Sequence, residues 1–208
     1  MNFKKIRMMM ATLMACSLAI VSCSEKLPDN GEGGEGGNKP NPNENIVTLS
    51  RETEYGDDWV YYSLENRKEV SVAEADHANS LDWDLAFNRY NVRTNSGKSG
   101  KGQGGAAITE IKNLKDCTAV PEGLEFTTDV VYTISAPGSG FPPPEMESTA
   151  NEVMCQAIRF AGPPPTYTPS EYVFIVRTAS GKFAKFKAIS FYDETGNSGV
   201  WSFEYEMM

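Results

Sequence analysis

The chain has 208 residues, 40% of them hydrophobic, with 28 acidic against 19 basic side chains and one histidine. A formal charge of −9 has the wrong sign for gripping a polyanion, which argues against nucleic acid as a partner. The length suits one domain with a real core once two atypical N-terminal segments are set aside.

The first of these is the start. MNFKKIR places Lys4, Lys5 and Arg7 ahead of the apolar run MMMATLMACSLAIV. That run is shorter than the roughly 20 residues a membrane-spanning helix requires, and it reads as the core of a signal peptide. It closes on Ile20-Val21-Ser22-Cys23: a branched apolar residue, a spacer, a small residue and then cysteine. This is the pattern of a bacterial lipobox. Residues 1–22 are then a removed leader, and Cys23 becomes the acylated first residue. Acyl chains worth about 0.8 kcal/mol per buried CH₂ would hold it on a bilayer. The second segment, SEKLPDNGEGGEGGNKPNPNEN, completes 23–45. It is too poor in apolar side chains to offset the entropy of ordering it, and is predicted to be a flexible Gly/Pro/Asn linker. The folded domain is predicted over 46–208.

Within that domain the hydrophobic period is two. DDWVYYSL (57–64) is the first clear strand, and His77 follows in EADHANS as a solvated loop residue. LDWDLAFNRYNVRTN (81–95) reads as one long half-buried strand. Leu81, Trp83, Leu85 and Phe87 would share its apolar face, with Asp82, Asp84, Asn88 and Tyr90 mostly on the wet one. SGKSGKGQGG (96–105) contains Gly97-Lys98-Ser99, but a phosphate-binding loop needs a further glycine where Val92 stands. The segment is instead predicted to be a mobile, basic hairpin tip. EFTTDVVYTI (125–134) is the next strand. Two proline-rich segments, APGSGFPPPEMES and AGPPPTYTPS, then bracket 151–160, and the one weak helical candidate runs from Ser148 to Phe160. EYVFIVRTA (171–179), GKFAKFKAISFYD (181–193) and GVWSFEYEM (199–207) are joined by turn-forming sequences and should make an antiparallel meander. The predicted fold class is all-β, a single antiparallel domain whose long loops carry the site.

Catalysis finds little support. The one histidine, His77, is read as a solvated loop residue, which leaves a serine or cysteine triad without its base, and no close-spaced Cys/His set suits zinc. Asp82 and Asp84 come from one strand, whereas a glycosidase pair must flank a bond. Cys117 and Cys155 could form a disulfide in an oxidising compartment or stay as two buried thiols. The reading is a binding protein, not an enzyme.

Trp83-Asp84-Leu85-Ala86-Phe87-Asn88-Arg89-Tyr90-Asn91-Val92-Arg93-Thr94-Asn95 with its glycine-rich sequel resembles the signature of the HmuY family of haem-binding bacterial lipoproteins. Val173 to Thr178, Gly181 to Phe186 and the upstream WVYYSLENRKEV resemble it too. The resemblance implies an all-β fold and haem clamped between loop fingers. It also implies a hemophore-like role, with delivery to a TonB-dependent outer-membrane receptor from a lipoprotein anchored at the cell surface. An alternative is a structural or adhesive surface lipoprotein on the same fold. Another is a binder of some other flat apolar ligand.

The founding member of that family holds iron with two histidines, and this chain has none after His77. Other relatives use methionine. Met146 and Met154 are the only internal methionines of the predicted domain, and a thioether is a soft, neutral haem ligand. They are the axial candidates, with Tyr167 third, since tyrosinate ligates ferric haem. Phe141 and Phe160 are candidates for stacking on the porphyrin.

Overall fold

The structure is a computed structural model that describes residues 45–49, 51–53, 59–136, 142 and 144–208, all within one unit bounded by Pro40 and Met208. The leader, Cys23, the linker through residue 44 and Phe141 lie outside the described residues. Among the described residues no helix is long and apolar enough to cross a membrane.

The fold is antiparallel β throughout, with 3₁₀ turns as its helical elements. β1 (Ile46–Thr48), β13 (Ser198–Met207), β12 (Phe183–Tyr192), β11 (Phe174–Arg177) and β6 (Gly105–Ile108) form one sheet in that spatial order. β3 (Lys68–Val70), β2 (Val60–Ser63), β4 (Leu85–Asn88) and β5 (Asn91–Thr94) form the other. Two further hairpins stand apart: β7 (Val130–Ser135) with β8 (Glu145–Ala150), and β9 (Ile158–Ala161) with β10 (Thr166–Pro169). We call these the first and second arms. The β11–β12–β13 meander is as the sequence predicts.

Three apolar clusters explain the burial. The largest lies between the two main sheets. Val60, Tyr62, Leu85, Phe87 and Val92 of one meet Phe174, Val176, Phe186, Trp201, Phe203 and Tyr205 of the other. The second lies on the far side of the four-stranded sheet: Trp59, Tyr61, Trp83 and Ala86 pack against Ile134 of the first arm, with Tyr132 and Met146 at its margin. The third covers the outer face of the five-stranded sheet with Leu114 and Cys117 over Val173 and Ile175.

This layering corrects several sequence expectations. Residues 81–95 are not one strand. The chain turns back at Arg89-Tyr90, pairing Asn88 with Asn91, and Arg89 takes a positive φ of 50°. Leu81 leaves the apolar face and is 55% exposed, and Trp83 does not share the face of Leu85 and Phe87: it is buried in the second cluster while they are buried in the first. β2, β4 and β5 are buried on both faces, because the first arm covers the side that alternation assigned to water. Asp84 is interior for another reason, enclosed by residues 63–65 and the β11–β12 turn. Its carboxylate accepts backbone N–H groups of Leu64 at 2.8 Å and Ala179 at 2.8 Å, and burial pushes its pKa up.

The glycine-rich loop 96–105 is also no mobile tip. It wraps around Asn95, whose amide donates to the carbonyls of Ser80 and Trp83 and accepts from Gly102 N–H. A Cβ on Gly100 would fall 2.1 Å from Asn95 Oδ1, so the wrap demands glycine there. The helical candidate 148–160 splits into the end of β8, a single 3₁₀ turn (Met154–Gln156) and the start of β9. Cys117 and Cys155 are free thiols, Cys117 in the third cluster and Cys155 against β5. His77 is half-buried rather than solvated, beginning a 3₁₀ turn beneath Trp83, whose indole N–H donates to its carbonyl at 3.0 Å.

Candidate functional site

The two arms rise from neighbouring roots. β8 ends at Ala150, and Asn151, Met154 and Cys155 lead within a few residues into β9. The β4–β5 turn, with Arg89 and Tyr90, supports this junction. Tyr90 stacks on Phe160 of the second arm, with centroids 5.8 Å apart and rings 3° from parallel. Towards the first arm, Tyr132 neighbours the Cys155 thiol and Tyr90. Burial, then the neighbouring Cys155, Tyr90 and Glu152, hold the Tyr132 phenol above its ordinary pKa. Burial likewise pushes the Cys155 thiol up to about 12, so at neutral pH it is protonated. The junction therefore presents neutral aromatic and sulfur-bearing groups. Phe160 at 43% exposure and Val131 at 52% offer apolar surface on the two arms.

The second arm is seated by aromatic packing. Phe160 and Tyr167 are cross-strand partners on one face, the pairing that stabilises a two-stranded ribbon. The Tyr167 ring lies 4.8 Å from Phe191, and its backbone N–H donates to Tyr192 Oη at 2.9 Å. Arg89 donates to Tyr167 Oη at 3.0 Å, with its guanidinium 5.7 Å from the ring centroid.

The first arm is seated on polar links as well as apolar ones. Arg93 from β5 donates through Nε to the Thr149 carbonyl at 3.1 Å and through an Nη to Ser148 Oγ at 3.0 Å. Its other Nη pairs with Glu74 at 2.8 Å, and its guanidinium lies 3.7 Å above the Trp59 ring. Met146 pairs with Ile134 across the arm, and both turn towards the second cluster.

The three ligand candidates from sequence are thus treated unequally. Met146 is half-buried on the first arm. Tyr167 is 7% exposed at the base of the second, with its hydroxyl engaged by Arg89. Met154 is fully buried in the main core and starts the 3₁₀ turn that Asn151 Oδ1 caps. The two methionines lie in different clusters, and this conformation does not bring them together. Sequence reasoning missed Tyr90, Arg89 and Tyr132. The turn that presents the first two was signalled only by the flanking asparagines Asn88 and Asn91, a residue type that favours turns.

The family model for HmuY protein matches residues 55–205, which include both arms and both sheets apart from β1 and the end of β13. The chain belongs to the HmuY family. Solved structures agree in fold. An apo HmuY analog (TFO) from Tannerella forsythia is 21% identical with a TM-score of 0.62, covering 78% of this chain and 94% of that one. A protein from Bacteroides vulgatus, described as HmuY-like and heme-binding, is 26% identical with a TM-score of 0.60, covering 79% and 93%. A protein from Bacteroides fragilis, described as a lipoprotein, is 23% identical with a TM-score of 0.59, covering 77% and 88%. No curated protein matches.

Proposed function

We propose that this HmuY-family chain binds haem at the junction of its two arms. The observation that carries the reading is the exposed Phe160, stacked flat on Tyr90, with Met146 and Tyr167 on the two arms that flank it. A porphyrin needs aromatic and aliphatic faces and a neutral or phenolate donor for iron, and these residues supply both kinds. Bound haem would contribute its redox-active iron. The protein's own part is to stack the ring, exclude water and offer donor atoms. Met146 is the preferred thioether candidate and Tyr167 the phenolate candidate. Met154 could ligate only by leaving the main core. The wider role is hemophore-like: acylation at Cys23 ties the protein to the outer membrane, and haem passes to a TonB-dependent receptor. Binding without catalysis is the corresponding activity.

Titration of the purified domain with hemin, before and after dithionite, tests the reading. A saturable, shifted Soret band is expected. Thioether sulfur is soft and uncharged, so Met146 ligation makes the shift larger under reduction, and Met146→Leu removes that difference. Retention of the ferric band in Tyr167→Phe would dismiss the phenolate. A featureless titration in both states would overturn haem binding and leave the adhesive or structural role.

A further inference from the structure

The root of the first arm holds a carboxylate that the haem reading does not use. Asp129 immediately precedes β7, Asn151 immediately follows β8, and the two side chains meet across the root with Asn151 Nδ2 donating to Asp129 Oδ1 at 3.1 Å. Asp129 is 2% exposed and Asn151 fully buried. The body supplies the remaining donors to the carboxylate: Thr94 N–H at 2.9 Å, Thr94 Oγ1 at 2.5 Å and Ser96 Oγ at 3.4 Å. The Ser99 hydroxyl has one proton for two acceptors, this carboxylate and Thr149 Oγ1 on the arm, the latter at 2.8 Å. Lys98 N–H donates to the Asp129 backbone carbonyl. A Cβ on Gly97 would fall 2.2 Å from that carbonyl oxygen, so body and arm root are in close contact.

Every side-chain donor to this carboxylate is neutral. Among the described residues no cation pairs with it. Arg93 on β5 spends its guanidinium on Glu74, Ser148 and the Thr149 carbonyl. Lys98 on the adjoining loop is exposed, and the titratable neighbour on the 3₁₀ turn is the Cys155 thiol, with Glu152 beyond it. A lone buried anion is costly unless it is paired or protonated. The hydroxyls here suit both states. Thr94 and Ser96 oxygens lie 2.8 Å apart, so Thr94 can turn its proton to Ser96 and accept one from a protonated Asp129.

We propose that Asp129 makes the seating of the first arm pH-dependent, protonation favouring the docked arm and ionisation favouring its release. A two-stranded ribbon has little stability of its own, so its docking equilibrium responds to a single group at its root. Burial, opposed by the Ser99, Thr94 and Asn151 hydrogen bonds, raises the Asp129 pKa to about 6. A released arm exposes the carboxylate and returns it to the ordinary value of 3.8. The docked state then binds a proton that the released state does not, so docking strengthens as pH falls through about 6 and levels off near 3.8. From pH 7.5 to 5 the docking constant should rise about tenfold. The inference concerns the ligand-free protein and stands apart from the haem reading.

Amide hydrogen exchange of the ligand-free domain tests it, corrected for the intrinsic pH dependence of exchange. At the root amides of Thr94, Val131 and Asn151, protection should be about tenfold greater at pH 5 than at pH 7.5, with no such change in β12 or β13. Asp129→Asn should abolish the pH dependence while leaving the arm protected. Wild-type protection that ignores pH, or that rises equally across both sheets, would overturn the proposal. Should Asp129→Asn fail to fold, carbon-13 titration of the wild-type Asp129 carboxyl decides. A midpoint near 6 supports the switch, and one at or below 3.8 overturns it.

Discussion

The two arms are built alike and held differently. Each is a two-stranded antiparallel hairpin entered from the same junction. The second rests on rings: Phe160 and Tyr167 sit against Tyr90, Phe191 and Tyr192, with Arg89 capping the phenol. The first rests on the Trp83 cluster, but its strands and root are also tied by Arg93, Ser99, Asp129 and Asn151. Apolar contact is non-directional and insensitive to pH, whereas charge-assisted hydrogen bonds have fixed geometry and follow protonation. One arm is therefore a fixed wall. The other can be adjusted by solution conditions without disturbing the main core.

The comparison is broken most severely at Trp83. Trp83→Ala should destabilise by about 3–5 kcal/mol in urea unfolding, the usual range for a fully buried large aromatic, and should expose the first arm to limited proteolysis before the second. A near-neutral result would mean that the cluster does not seat that arm. Arg93→Met should cost about 1.5–3 kcal/mol, since it deletes hydrogen bonds made by a charged group to Ser148, the Thr149 carbonyl and Glu74. Cleavage should again fall in 130–150. Equal loosening of both arms would show them to be coupled.

Smaller substitutions sharpen the contrast. Tyr167→Phe removes the acceptor of one Arg89 hydrogen bond and should cost about 1 kcal/mol while the ring packing of the second arm persists. Calorimetry of this variant beside Arg93→Met would show whether rings or polar links dominate each arm. Met146→Leu and Met154→Leu should each stay within about 1 kcal/mol of the parent, because leucine nearly conserves volume. Their spectra with reduced haem should differ, a changed Soret band being expected for Met146→Leu only. A change confined to Met154→Leu would return that methionine from the core to the ligand set.

How much was legible follows from which forces act locally. Alternation, β-branched and aromatic runs and turn residues are sequence-local, so the all-β class, the C-terminal meander and the shared buried face of Leu85 and Phe87 could be read directly. The family could be recognised from the same strands. The seats of Tyr61, Trp83 and Ala86 could not, because alternation assumes one wet face and the first arm, distant in sequence, covers it. The turn at Arg89-Tyr90 was hidden for a related reason: a non-glycine residue at positive φ gives no compositional warning, and tertiary packing holds it there. The sulfur candidates show the same division. Sequence determined that Met146 follows a run of prolines and that Met154 lies in the stretch the two proline-rich segments bracket. Only the tertiary structure decided that one lies on an arm and the other in the core, since a methionine's surroundings are set by what folds over it.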